Sequence, residues 1–212
     1  MTPHGTKAVI IGNGSSVDRM PPEFWSQDAL YIGTNRALCM TSMQGVRLDA
    51  MIIRDTYRSL WHKLEIGWQY HEDYWKPYKG YKVGPSDRRT VHCDEFVRQV
   101  PGWQYEEDRD HNNEAAIARN VSVVIMASNV AWLWGVRDFQ LVGVDYCGGM
   151  ARMEGMYNVS TGHDARYSRP VPPSIEIAFR HMREAIEKGG SVVNCSPGTK
   201  LEAVEKMEWK SG

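Results

Sequence analysis

The chain has 212 residues, a formal net charge of −1 and a near-neutral isoelectric point. That length buries one sizeable core. The charge balance excludes a global basic field for nucleic acid and the acidic excess of a solvating protein. Lys7–Gly12 reads as a buried strand ending in a glycine turn, and the helical propensity after it stops at Pro21-Pro22. "ALYIGTN" (29–35) and "AMIIRD" (50–55) read as the second and third strands. From Tyr57 to His92 no clean period holds: Trp and Tyr alternate with Lys and Arg, and only "TVHC" suggests a short strand. Gly102–Asn113 reads as a polar loop. Asn120–Trp134 has apolar residues at helical spacing, with Gly135 placed to stop the helix. "FQLVGVD" (139–145) is apolar almost throughout, as central parallel strands are. Ser174 is placed to cap a helix whose apolar face is Ile175, Ala178, Phe179, Met182, Ala185 and Ile186. "SVVNCS" is a last strand, and Thr199-Lys200-Leu201-Glu202 has the form of a capping box opening a short final helix.

This rhythm predicts an α/β fold: one Rossmann-like parallel sheet with helices on both faces, in a single domain over 1–212. Residues 57–113 are expected to form an aromatic and basic insertion or acceptor-side subregion, and 146–173 a lid. Cys39, Cys93, Cys147 and Cys195 stand far apart with no C-x-x-C, so neither a zinc site nor a disulfide framework is indicated. Reduced thiols in a cytoplasm are the expected state, and no stretch is long and apolar enough to span a bilayer.

In an open α/β sheet, ligands sit at the carboxyl ends of the strands. Gly12-Asn13-Gly14-Ser15-Ser16, Thr34-Asn35 and Gly143-Val144-Asp145 are expected on that rim. A glycine turn opening a helix exposes N–H groups to an anion. The two best-known phosphate loops both fail here. A dinucleotide fingerprint would place a third glycine where Val17 stands, and no Gly-Lys-Ser or Gly-Lys-Thr follows the turn. A plain tight turn between strand and helix is the competing reading, against a nucleotide site that also uses Asn35 and Asp145.

"VIIGNGSSVDRMPPEFWSQDALYIGTNRAL" resembles the opening of the bacterial sialyltransferases of glycosyltransferase family 42, in a GT-A-like variant fold. "RNVSVVIMASNVAWLWGVRDFQLVGVDY", "TGHDARYSRP" and "VVNCSPGTKL" are similar to later segments of that family. The G-x-G turn and the G-x-D strand end also resemble the MptE-like family, which transfers pyrophosphate from ATP. Ser15 stands where both patterns have proline, and the lid before His163 is shorter than in the sialyltransferases.

The resemblance implies a glycosyltransferase that moves a sugar from a CMP- or UDP-linked donor to an acceptor hydroxyl by inverting displacement, with no metal or other cofactor required. It implies that Gly12, Asn13, Gly14, Ser15, Ser16, Asn35, Gly143 and Asp145 hold the donor, and Asn120 and Ser122 the leaving phosphate at a helix N-terminus. Tyr146 and Tyr157 are the lid tyrosines available for that phosphate, and His163 is the implied base, with His111 its rival. The aromatic stretch has three readings. It is a surface layer, a glycan acceptor platform on Trp68 and Trp75, or with Arg88 and Arg89 a DNA contact, as in viral enzymes that glycosylate hydroxymethylated bases. An MptE-like pyrophosphokinase, using Mg-ATP with Asp55 and Asp145, and a non-enzymatic nucleotide-binding protein are the other function classes left open.

Overall fold

The computed structural model describes residues 3–54, 64–85, 92–110, 114–118, 122–146, 149–155 and 170–209. Its strands are β1 (Lys7–Ile11), β2 (Leu30–Thr34), β3 (Ala50–Ile52), β4 (Tyr81–Pro85), β5 (Glu95–Val100), β6 (Ala115–Ala118), β7 (Asp138–Val142) and β8 (Ser191–Asn194). They form one sheet in the order β6-β5-β4-β3-β2-β1-β7-β8, and every pairing is parallel. The helices are α1 (Leu64–Tyr70), continued by a π-helical turn (His71–Trp75), α2 (Val123–Leu133) and α3 (Pro173–Ile186). This is the expected Rossmann-like α/β architecture.

The chain lays strands outward from β1 to β6, then returns across the sheet to place β7 on the other side of β1. Right-handed crossovers that progress in opposite directions fall on opposite faces. The connections after β1, β2 and β3 therefore cover one face, where Phe24, Met40, Tyr70 and Trp75 pack on Val9, Ile11 and Met51. On the other face α2 and α3 pack Ala127, Val130, Phe179 and Met182 against Ala8, Ile10, Phe139 and Leu141. The Ser122 hydroxyl caps α2 by accepting the Val124 N–H at 3.3 Å. Gly135 ends that helix region at φ 97°, a left-handed conformation that favours glycine.

Four expectations are corrected. Residues 57–113 are not an insertion beside the sheet, because they thread β4 and β5 into it and lead directly to β6. The Gly102–Asn113 loop is not merely polar, because Trp103 packs on the core. α3 opens at Pro173 with Pro172 at the cap position and no side-chain cap; a proline there forfeits only an N–H that would be unpaired anyway, so Ser174 sits inside the first turn. Among the described residues no helix follows Thr199, whose hydroxyl instead accepts the Leu201 N–H at 3.1 Å and donates to the Val144 carbonyl at 2.9 Å. No helix among the described residues is long and apolar enough to cross a membrane. Cys39, Cys93 and Cys195 are buried free thiols, and burial pushes each up to about 12.

Candidate active site

Because all strands are parallel, their carboxyl ends share one rim. The strand order reverses between β1 and β7, and it is outside such a switch point that open parallel sheets bind ligands. The loops leaving those two strands are Gly12–Ser16 and Gly143–Tyr146, so the sequence's glycine turn and its Gly-Val-Asp strand end lie side by side.

The two loops are hydrogen-bonded directly to each other. The Gly12 N–H donates to the Val142 carbonyl at 2.7 Å, and the Gly14 N–H to the Gly143 carbonyl at 2.9 Å. The Ser16 N–H donates to Asp145 Oδ2 at 2.9 Å, and the Ser16 hydroxyl accepts the Gly143 N–H at 3.2 Å. The expectation of free loop amides facing a phosphate is corrected at Gly12, Gly14, Ser15 and Ser16, whose N–H groups all have protein acceptors. A Cβ built on Gly12 would overlap the Gly143 carbonyl, and one on Gly14 would overlap Asp145 Oδ1. What approaches this backbone so closely is the neighbouring loop.

Asp145 is the hub. It is 1 % exposed. Its Oδ2 also accepts the Ser15 hydroxyl at 3.4 Å, while Oδ1 has no hydrogen-bond partner among the described residues. Burial raises its pKa above the ordinary 3.8, against the lowering effect of the Ser16 N–H bond. The folded chain thus holds this proton more tightly than the unfolded one. The carboxylate costs nothing below pH 3.8, and stability falls as pH rises through the raised value. Asp145→Asn keeps an acceptor for the Ser16 N–H and cannot ionise. It is expected to match the parent in acid and to melt at a higher temperature near neutrality, a difference read from melts taken across that pH range.

The other rim residues are placed by the same short loops. Asn13 donates from Nδ2 to the Thr34 carbonyl at 2.9 Å and ties the β1 loop to β2. Asn35 adopts a left-handed backbone at φ 47°, its Oδ1 accepts the Arg54 N–H at 3.2 Å, and its carbonyl accepts the Tyr70 hydroxyl at 2.8 Å. Tyr146 is also left-handed at φ 50°, and its ring meets Phe179 of α3 edge-on. Ser122 stands at the α2 N-terminus as its cap.

Residues 149–155, in the stretch expected to form a lid, lie as a strap across the loops of β1 and β2. Isolated antiparallel bridges join Gly14 to Met150 and Met40 to Met153. The Ser15 N–H donates to the Gly149 carbonyl at 3.1 Å, the Ala151 N–H to the Asn13 carbonyl at 2.9 Å, and the Arg152 N–H to Asp18 Oδ2 at 2.8 Å. Tyr74 and Gln44 both donate to the Glu154 carboxylate and hold the end of the strap.

Of the residues expected on the acceptor side, Trp68 and Trp75 are described, and their surroundings differ. Trp75 is fully enclosed and donates its indole N–H to the His92 carbonyl at 2.8 Å, so no sugar ring can stack on it. Trp68 is half exposed and edge-on to His71. Arg88, Arg89, Asn120, Tyr157 and His163 lie outside the described residues, as do Asp55 and His111. Sequence reasoning missed Arg36, which is 4 % exposed and donates to Met150 Sδ at 3.3 Å, and also the Asn194–Ser196–Thr199 brace beneath Val144. The brace has a legible signal in "NCSPGT", because Asn and Ser followed by Pro-Gly are turn formers whose side chains bond nearby backbone. Among the described residues no three His, Cys, Asp or Glu side chains group as metal ligands would.

No protein-family model matches the chain, and no curated protein sequence does. Solved structures do. The MAf glycosyltransferase from Magnetospirillum magneticum AMB-1 matches 97 % of the chain at 16 % identity and a TM-score of 0.55; the match spans 34 % of that protein, so the chain is about a third of its length. The sialyltransferase CST-II, solved with a trisaccharide acceptor and CMP, matches 95 % of this chain and 85 % of its own at 10 % identity, with a TM-score of 0.53. CstII from Campylobacter jejuni, solved with cytidine-5'-monophosphate, matches 97 % and 86 % at 13 % identity, with a TM-score of 0.51. The resemblance read from the sequence holds at the level of fold: this chain has the parallel α/β architecture of sialyltransferase structures.

Proposed function

We propose that the protein is a glycosyltransferase that moves a sugar from a nucleotide-sugar donor, CMP- or UDP-linked, to an acceptor hydroxyl. The observation that carries the reading is the conjunction of a sialyltransferase-like fold with the switch point between β1 and β7, where the Gly12–Ser16 and Gly143–Tyr146 loops meet on the carboxyl rim. Since the Gly12, Gly14, Ser15 and Ser16 amides are used within the protein, the loop's task is to shape the rim. The donor's polar groups fall to Asn13, Asn35, Ser122 and Tyr146 on the rim, and to Asn120 and Tyr157.

In the reaction the acceptor oxygen bonds to the anomeric carbon as the bond from that carbon to the donor phosphate breaks, so configuration inverts. The acceptor proton passes to His163 as general base. The N-terminus of α2 and the lid tyrosines stabilise the departing phosphate without a metal. The acceptor is a glycan, with a DNA base and an MptE-like ATP-dependent reaction as the competing outcomes, and the protein works in the cytoplasm.

Thermal melts with CMP, UDP, ATP and nicotinamide nucleotides, each with and without Mg²⁺, test this. A ligand at a hundred times its Kd adds about 2.7 kcal/mol, or roughly 5–10 °C for a chain of this size. That rise is expected with CMP or UDP in the absence of metal, and His163→Ala is expected to keep it while losing turnover. Stabilisation by Mg-ATP alone would transfer the protein to the pyrophosphokinase class. Salt-sensitive retardation of duplex DNA in a gel would move the acceptor to DNA.

A further inference from the structure

A second concave site lies away from the rim, on the face covered by α2 and α3. It is a groove of about 460 Å³ between the Gly102–Tyr105 loop, Ile125 of α2 and one flank of α3. Such a volume falls within the range of small-molecule sites. α3 leaves the carboxyl rim and runs toward the strand amino ends, where the chain enters β8 at Ser191. The groove's His181–Lys188 side therefore lies away from the Asp145 rim, and the donor reading makes no use of it.

Its walls differ in chemistry. One is aromatic. Trp103 and Tyr105 each meet Trp132 of α2 edge-on, at centroid distances of 6.1 and 6.2 Å. The loop that carries them is pinned in place: Asn129, fully buried on α2, accepts the Gln104 N–H at 3.2 Å and donates to the Gln104 carbonyl at 2.8 Å. The Trp132 indole N–H holds the Tyr105 carbonyl at 3.1 Å. Three hydrogen bonds thus fix a loop whose Tyr105 remains 42 % exposed, and a fixed ring costs little ordering entropy when something stacks on it.

The opposite wall is polar. His181, Glu184 and Lys188 follow one another at spacings of three and four residues, so they share one line along α3 and its end. Between the walls the floor is made by Ala178, Met182 and Ala185, whose small or unbranched side chains leave the space open. Lys188 Nζ lies over the Tyr105 ring, 4.8 Å from its centroid, so a sugar stacking on that face displaces the ammonium group toward its own hydroxyls.

The geometry points to a neutral-saccharide site in this groove. A hexose presents C–H faces that suit rings and methyl groups, with hydroxyls around its edge that need both donors and acceptors. The aromatic wall and apolar floor meet the first need, and an imidazole, a carboxylate and an ammonium group meet the second. The Glu184 and Lys188 charges balance, so the groove gives a nucleotide or an acidic sugar no electrostatic advantage. The site is independent of the transfer reaction proposed above and would hold a glycan to the protein without reacting with it.

The test titrates the purified chain with lactose, maltose and cellobiose, followed by tryptophan fluorescence and by amide chemical shifts. A saturable response in the roughly millimolar range is expected for at least one of the three, with shifts confined to residues 102–105 and 178–188. Tyr105→Ala and Glu184→Ala, both at exposed side chains, are each expected to weaken it roughly tenfold with the melting temperature and any nucleotide stabilisation unchanged. No saturable response to any of the three sugars would overturn the assignment. So would a response that both variants leave intact, shifts centred on the Asp145 rim, or a response to N-acetylneuraminic acid alone. Self-association of the chain that either variant abolishes would make the groove a protein interface instead. Nucleotide stabilisation is measured on the same samples, so this site and the transfer reading fail separately.

Discussion

Replacing Gly14 by valine is expected to destabilise the fold by about 3–5 kcal/mol, summing an overpacked contact and a lost buried hydrogen bond. That is a fall in melting temperature of roughly 6–20 °C for a chain of this size. Gly14 lies at φ −75° and ψ 155°, which any residue adopts, so its backbone does not demand glycine. Space does. A Cβ there would overlap Asp145 Oδ1 and come within 2.9 Å of the Gly143 carbonyl. To make room Asp145 must leave its place against the Ser16 N–H, and a buried donor loses its acceptor. Calorimetry on Gly14→Val checks the size. A double-mutant cycle with Gly14→Ala and Asp145→Ala checks the cause, because removing the carboxylate takes away the worst clash and the two costs should then fail to add. A Gly14→Val protein with parental stability and no nucleotide binding would instead mean that the glycine only keeps room for a ligand.

Trp75→Ala is expected to cost about 3–5 kcal/mol, the range for a fully buried tryptophan, while Trp68→Ala stays within about 0.5 kcal/mol. The two tryptophans fall on the same aromatic segment and read alike in the sequence. Trp75 is 0 % exposed and its indole N–H closes on the His92 carbonyl, whereas Trp68 is 50 % exposed. Trp75 lies in the π-helical turn that continues α1, and the same helix carries Tyr70 to Asn35 and Tyr74 to Glu154. Loss of Trp75 therefore loosens the support of the β2 loop and of the strap together. Urea melts of both variants check the contrast; equal small effects would restore the platform reading for both rings.

Much of the sheet was legible where side-chain pattern and burial coincide. β1, β2 and β7 are short apolar runs buried on both faces, and α3 is amphipathic with a clear period. β4, β5 and β6 were not legible. β4 carries a buried Lys82, β5 alternates buried and half-buried positions with Glu95 and Arg98 among them, and β6 is four residues, three of them alanine. Neutralising partners make the Glu95 and Arg98 charges tolerable, and the partners come from elsewhere in the chain: Arg109 meets Glu95 at 3.0 Å, and Asp108 meets Arg98. The Thr199–Glu202 motif has the residues of a capping box, but its threonine is drawn to Val144, 55 residues away, and no helix forms.

By itself the sequence determined the class of fold, the place of the glycine turn after the first strand, and the Gly-Val-Asp end of the strand before α3. These depend on neighbours within a few residues, through periodicity and turn chemistry. Only the tertiary structure decided what the turn is for. The Ser16 amide and the Asp145 carboxylate that accepts its hydrogen are 129 positions apart in the chain. Parallel pairing of β1 with β7 brings them within bonding distance, and a hydrogen bond depends on separation in space, of which a linear pattern holds no record.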